Sequence, residues 1–156
     1  AQVCQDASIP LLIDDRVDVT QATRAHGVHL GQQDFPIEDA RAVLGPDAII
    51  GLSVETYEQA REANDFDVDY IAISPVYRTP TKEELTEELG LEGVKKITEI
   101  CRHRAVGIGS IKAHNAGDVI RAGAEGVAVV SGICSADDPQ AAARELKQKV
   151  EEARRN

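Results

Sequence analysis

Methionine is absent from all 156 residues, the initiator position included. The opening text "AQVCQDASIP" reads as the tail of a helix leading into a strand, so we expect sequence to precede Ala1. Cysteine is scarce. Cys4, Cys101 and Cys134 are odd in number and show no C-x-x-C spacing, which argues against a disulfide framework and a structural zinc site. They are expected as buried free thiols. His29 sits inside an apparent strand, and His26, His103 and His114 lie near helix ends. No two make a metal-spaced pair, and the histidines are assigned no role.

Basic patches are also missing. A net charge of −10 and a pI near 4.8 disfavour a large nucleic-acid footprint, because neutralising phosphates takes clustered cations. A small anionic ligand stays possible, held by a few local donors. No apolar run approaches the roughly 20 residues needed to cross a bilayer, and no signal-peptide pattern opens the chain. The expectation is a soluble, cytoplasmic protein without membrane or nucleic-acid partners. With 42% hydrophobic and 28% charged residues, residues 1–156 are read as a single domain.

What the sequence does contain is a sequence of short apolar runs. "IPLLID" (9–14), "GVHLG" (27–31), "AIIGLSV" (48–54), "YIAISPV" (70–76), "AVGIGS" (105–110) and "GVAVVSG" (126–132) are mostly rich in Val and Ile and too short for helices. They predict six strands, fully buried and therefore parallel. Between them lie helix signatures. "TQATRAHG" ends at Gly27 as a C-cap, "PIEDARAVLG" starts at Pro36 and stops at Gly45, and "TYEQAREAND" opens with Thr56 as N-cap. "GLEGVKKITEICRH" places Leu91, Val94, Ile97 and Ile100 on one face, and "KAHNAGDVIRAGA" supplies Ala116, Val119, Ile120 and Ala124. The last helix has Asp138 as N-cap, Pro139 in its first position, and Leu146 and Val150 inward.

Strand starts recur about every 20 residues, but the units share no repeat motif, so a solenoid is disfavoured. Repeated strand–helix units imply an α/β barrel or a doubly wound sheet. "AVGIGSI" and "GVAVVSGI" both end in glycine and serine where a strand gives way to a helix. Loops after the last two strands of an eight-fold barrel commonly bind phosphate through backbone N–H groups, which makes a phosphate site the natural hypothesis.

"PLLIDDRVD", "GVHLGQQDFP", "VLGPDAIIGLSV", "DYIAISPVYRTPTK", "GLEGVKKI", "AVGIGSI" and "AGAEGVAVVSGI" stand in an order and at a spacing that resemble the thiamine phosphate synthase family, from about residue 8 to residue 142. The resemblance implies a (β/α)8 TIM barrel that joins hydroxymethylpyrimidine diphosphate to hydroxyethylthiazole phosphate, with Mg2+, and releases pyrophosphate. By that resemblance Asp15 and Asp34 carry the metal, and Ser53 contacts the pyrimidine substrate. Thr79, Pro80 and Thr81 form the loop at the thiazole phosphate, and Lys82 contacts the diphosphate. Lys82 and Ser53 are the catalytic candidates. Val130 and Ser131 match a second phosphate clamp at the start of the last helix. Read without the resemblance, these residues have plainer roles. Asp15 would be a cap or pair with Arg16, Asp34 would cap the helix at Pro36, Ser53 would satisfy strand-end backbone, and Thr79 to Lys82 would be a turn.

Three departures from the family stand out. It has about two further strand–helix units before "PLLIDD", with a Gln and a Lys or Arg cluster on the diphosphate. Six units cannot close an eight-stranded barrel, so the fold is expected as an open or partial barrel, a homo-oligomer covering the open edge, or a chain completed by another. Asp14 stands where the family has an Asn for the pyrimidine substrate, and adds negative charge beside a diphosphate. Ser110 replaces the second glycine of "GIGGI" at the phosphate loop, either crowding a phosphate or adding a donor. Two other readings compete with the synthase: a thiazole tautomerase branch that needs no metal carboxylates, and a non-catalytic partial barrel that binds phosphate or serves as an assembly piece.

Overall fold

The computed structural model describes residues 1–78 and 88–155. A short helix α1 (Gln2–Asp6) precedes six alternations: β1 (Leu12–Asp14), α2 (Val17–Thr23), β2 (Gly27–Leu30), α3 (Ile37–Leu44), β3 (Ile49–Val54), α4 (Tyr57–Glu62) with a 3-10 turn (Ala63–Asp65), β4 (Tyr70–Ile73), α5 (Gly90–Ile100), β5 (Arg104–Ile108), α6 (Ala113–Arg121), β6 (Gly126–Ala128), α7 (Ser131–Cys134) and α8 (Pro139–Arg155). The strands pair in chain order, all parallel. Their sheet curls through 199° round an axis, a half-barrel of the (β/α)8 type.

Strand periodicity sets the two faces of this sheet. Val28, Leu30, Ile50, Leu52, Val54, Ile71 and Ile73 are buried in one core with Ile37 and Ala40 of α3, Val94 and Ile97 of α5, Ala116 and Val119 of α6, and Leu146 of α8. The intervening positions form the concave face. Registers Asp14–His29, His29–Gly51 and Gly51–Tyr70 align these residues in one row across four strands. Full burial holds only for the middle of the sheet. β1 and β6 contain no fully buried residue, because each lies at an edge of the half-barrel.

The expected caps at Thr56 and Asp138 are present: Gln59 N donates to Thr56 Oγ1, and Ala141 N donates to Asp138 Oδ1. Gly27 is not a helix cap. α2 ends earlier at a left-handed Arg24, and Gly27 opens β2, where a Cβ would collide with the Ile49 carbonyl. β4 and β5 also end short of their sequence runs, at Ile73 before Ser74 and Pro75 and at Ile108 before Gly109 and Ser110. Pro75 has no N–H for a ladder, and Gly109 and Ser110 have positive φ. The thiols differ from expectation: Cys101 is buried, Cys4 half-buried and Cys134 exposed, all three free. Cys134 ends the four-residue α7, which is too short to cover it.

Below the sheet, Arg41 holds loops from two units together. Its guanidinium donates to the carbonyls of Gly45, Ala48 and Asp67 and to the Asp69 carboxylate. Asp69 in turn accepts from Ile50 N. Among the described residues, no helix is long and apolar enough to cross a membrane.

The close approach of β2 and β3 at Gly27 gives a test. Gly27→Ala should lower stability by about 1–3 kcal/mol, the range for overpacking a fixed site, read as a lower urea midpoint with unchanged slope. A change within the scatter of surface substitutions would mean that the two strands can separate without cost.

Candidate active site at the mouth of the half-barrel

Because every strand runs the same way, all six carboxyl ends open at one mouth, the functional end of such barrels. β1 ends in Asp14, and the next residue, Asp15, has left-handed φ of 63°. Asp15 N donates to the His29 carbonyl and Arg16 N to the Asp14 carbonyl. Strained backbone of this kind at a strand end turns the side chain away from the ladder. The Arg16 guanidinium does not pair with Asp15. It pairs with Asp18 at 2.6 Å, and that pairing holds the Asp18 carboxyl down at about 2.

Asp34, after β2, is not a helix cap either. The N-cap of α3 is Pro36, without a side-chain cap bond, and Asp34 Oδ2 instead accepts from Gly31 N at 2.6 Å. Its carboxyl lies within hydrogen-bonding reach of Asp15. The Asp15 carboxyl is pushed above its ordinary range by burial first, then by the charges of Asp14 and Asp34. Three carboxyls therefore concentrate negative charge at one point of the mouth. Two carboxylates suit Mg2+, which keeps several waters and takes one or two carboxylates. Among the described residues no group of three or more His, Cys, Asp and Glu is placed to hold a metal, so Asp15 and Asp34 stand as a pair.

Ser53 does not satisfy backbone. Its Oγ lies 2.9 Å from His29 Nε2, whose other nitrogen, Nδ1, lies 3.0 Å from the Tyr70 hydroxyl. The His29 and Tyr70 rings stack at 5.5 Å between centroids and 25° between planes. They can meet across β3 because residue 51 is glycine: a Cβ there would overlap both Tyr70 Cζ and His29 Nδ1. Burial, with Asp14 as a second cause, pushes the Tyr70 phenol up to about 12. Gln32 Nε2 donates to the Ser53 carbonyl at 2.6 Å and fixes that strand end.

Ser110 has left-handed φ of 48° and donates its hydroxyl to the Arg78 carbonyl at 2.7 Å. Its oxygen thus ties the β5 loop to the exit of β4. Arg78 N in turn donates to Glu88 Oε2 at 3.0 Å. The predicted site residues Thr79, Pro80, Thr81 and Lys82 lie outside the described residues. Val130 and Ser131 stand after β6 and begin α7, a separate four-residue helix before α8, rather than the last helix itself. Val130 is exposed.

The structure therefore brings together Asp14, Asp15, Asp34 and Ser53, and adds His29, Tyr70 and Gly51, to which the sequence reading gave no role. The signal for His29 was available in "GVHLG". A polar residue between two core positions of a strand faces away from the core.

Residues 1–133 match the family described as thiamine monophosphate synthase. The chain belongs to that family. The thiamine-phosphate synthase of Albidiferax ferrireducens is 46% identical over 143 residues, which cover 92% of this chain and 65% of that protein. The thiamine biosynthesis bifunctional protein ThiM/ThiE of Symbiobacterium thermophilum is 45% identical over 153 residues, 98% of this chain and 32% of that protein. The chain thus spans less than two thirds of the length of either relative. The solved thiamine phosphate pyrophosphorylase of Pyrococcus furiosus superposes with a TM-score of 0.89 at 39% identity, over 97% of this chain and 72% of that one. Family membership carries the barrel architecture, and the half-barrel here is that architecture in part.

The charge at the mouth of this family member predicts a pH signature. Asp15 has a folded pKa above its unfolded value, so its ionisation disfavours the fold at neutral pH, and that cost disappears as pH falls through the raised value. Asp15→Asn should therefore raise the metal-free Tm at pH 7 by about 1–2 °C, a small shift for a mostly solvated group. The gain should fade towards pH 4. A lower Tm at pH 7 would show that Asp15 is a stabilising contact rather than a strained one.

Proposed function

We propose that this chain carries the synthase chemistry: coupling of hydroxymethylpyrimidine diphosphate to hydroxyethylthiazole phosphate, with release of pyrophosphate, in thiamine biosynthesis. The observation that carries the reading is the convergence of Asp15, Asp34 and Ser53 on one mouth of a barrel sheet whose family is that of thiamine monophosphate synthase. Asp15 and Asp34 would hold Mg2+. The ion, when bound, would supply fixed positive charge for the diphosphate oxygens.

The chain's own residues do the rest. Ser53, held by His29 and by Gln32, presents a hydroxyl to the pyrimidine substrate. Lys82 would place a cation on the departing diphosphate without a proton transfer, and Thr79, Pro80 and Thr81 would hold the thiazole phosphate. Ser110, Val130 and Ser131 would line the second phosphate loop. With its hydroxyl given to Arg78, Ser110 shapes that loop through its backbone. Asp14 takes the place of an amide beside the pyrimidine ring. The catalysis proposed is positioning and electrostatics, with no nucleophile.

We further infer cytoplasmic action on small phosphorylated substrates. A homo-oligomer is proposed to cover the half-barrel edges, supported by half-buried β1 and β6 and by exposed Val3, Ile9 and Val130. A non-catalytic partial barrel is the second reading, favoured by the same open edges.

Incubating the chain with both substrates and Mg2+ should form thiamine phosphate, and a chelator should stop it. Lys82→Ala should slow turnover by about 100-fold, the scale of removing one transition-state donor, with an unchanged circular dichroism spectrum. No product at high protein concentration, with thiazole phosphate still bound, would sink the synthase reading in favour of the non-catalytic one.

A further inference from the structure

We propose that Tyr70 is a positioning residue, acting through His29 to aim the Ser53 hydroxyl proton away from the sheet and toward a diphosphate-bearing ligand on the concave face. A neutral imidazole has one N–H and one lone pair. Tyr70, His29 and Ser53, linked at 3.0 and 2.9 Å, therefore form a directed chain with two possible senses. In one, Tyr70 donates to Nδ1, Nε2–H donates to Ser53 Oγ, and the serine proton points outward. In the other, the serine proton is used on the ring and the phenolic proton is left over.

The surroundings select the first sense. The phenol is a better donor than an alcohol, and burial with nearby Asp14 keeps it protonated. The phenol is half-buried, so leaving its proton without the imidazole acceptor would carry a desolvation penalty. Ser53 lies on the concave face beside His29, where an anionic ligand would accept its hydrogen bond. Gly51 makes the relay possible, since any side chain there would separate Tyr70 from His29. The tautomer claim is independent of the proposed function, and only its ligand consequence rests on that reading.

The test has two arms. In 15N-histidine NMR of the whole chain at pH 8, His29 should be the Nε2–H tautomer, and should remain so in Ser53→Ala. A dominant Nδ1–H tautomer in the wild type would overturn the proposal. In calorimetry with hydroxymethylpyrimidine diphosphate and Mg2+, without the second substrate, Tyr70→Phe should weaken binding about fivefold but have no effect in a Ser53→Ala background. Equal losses in both backgrounds would make Tyr70 merely structural and overturn its positioning role. If no variant binds the diphosphate, the proposed function fails, while the tautomer measurement still decides whether the relay runs as stated.

Discussion

The register of the parallel sheet is the constraint from which the rest follows. Alternation sends Val28, Leu30, Ile50, Leu52 and Ile71 to the helices and leaves Asp14, His29, Gly51, Ser53 and Tyr70 on the other face. A slip of one residue in any strand would exchange these sets, burying carboxyl and imidazole groups among aliphatic side chains. The packing that stabilises the sheet is therefore also what places the polar row. Curling the sheet through 199° then turns a flat row into the wall of a cup, with the strand ends at its rim.

At that rim the chain concentrates like charge. Asp14, Asp15 and Asp34 come from two adjacent strand ends, and Asp15 resists ionisation first through burial and then through the charges of Asp14 and Asp34. Such an arrangement makes folding contend with repulsion, and like charge gathered at one place is a common conflict between stability and function. Deeper in the cup the design is the opposite. His29, Tyr70 and Ser53 satisfy one another, and Gln32 closes the Ser53 carbonyl. One part of the mouth carries uncompensated like charge, while the other is already pre-organised.

Much of this was legible in the sequence. Apolar runs located all six strands, and Thr56 and Asp138 announced their helices through local hydrogen bonds that need no tertiary context. The family motifs pointed to Asp15, Asp34 and Ser53. Other features depend on contacts between distant strands and could not be read locally. Gly27 resembled a helix cap, yet its missing side chain serves the approach to Ile49. Tyr70 meets His29 only by reaching over Gly51, a contact spanning 41 positions in the chain. Ser110 could have crowded a phosphate or donated to it, and the fold instead directs its hydroxyl to Arg78.

The central claim is that the carboxylates at the β1 and β2 ends and the hydroxyl at the β3 end form one site. Mn2+ titrated into the labelled chain with pyrophosphate tests this directly, because paramagnetic broadening falls steeply with distance from the ion. The account predicts early, joint loss of the Asp15, Asp34, His29 and Ser53 signals, with those of α8 unaffected. Broadening centred on another surface, with the His29 and Ser53 signals intact at saturation, would contradict it.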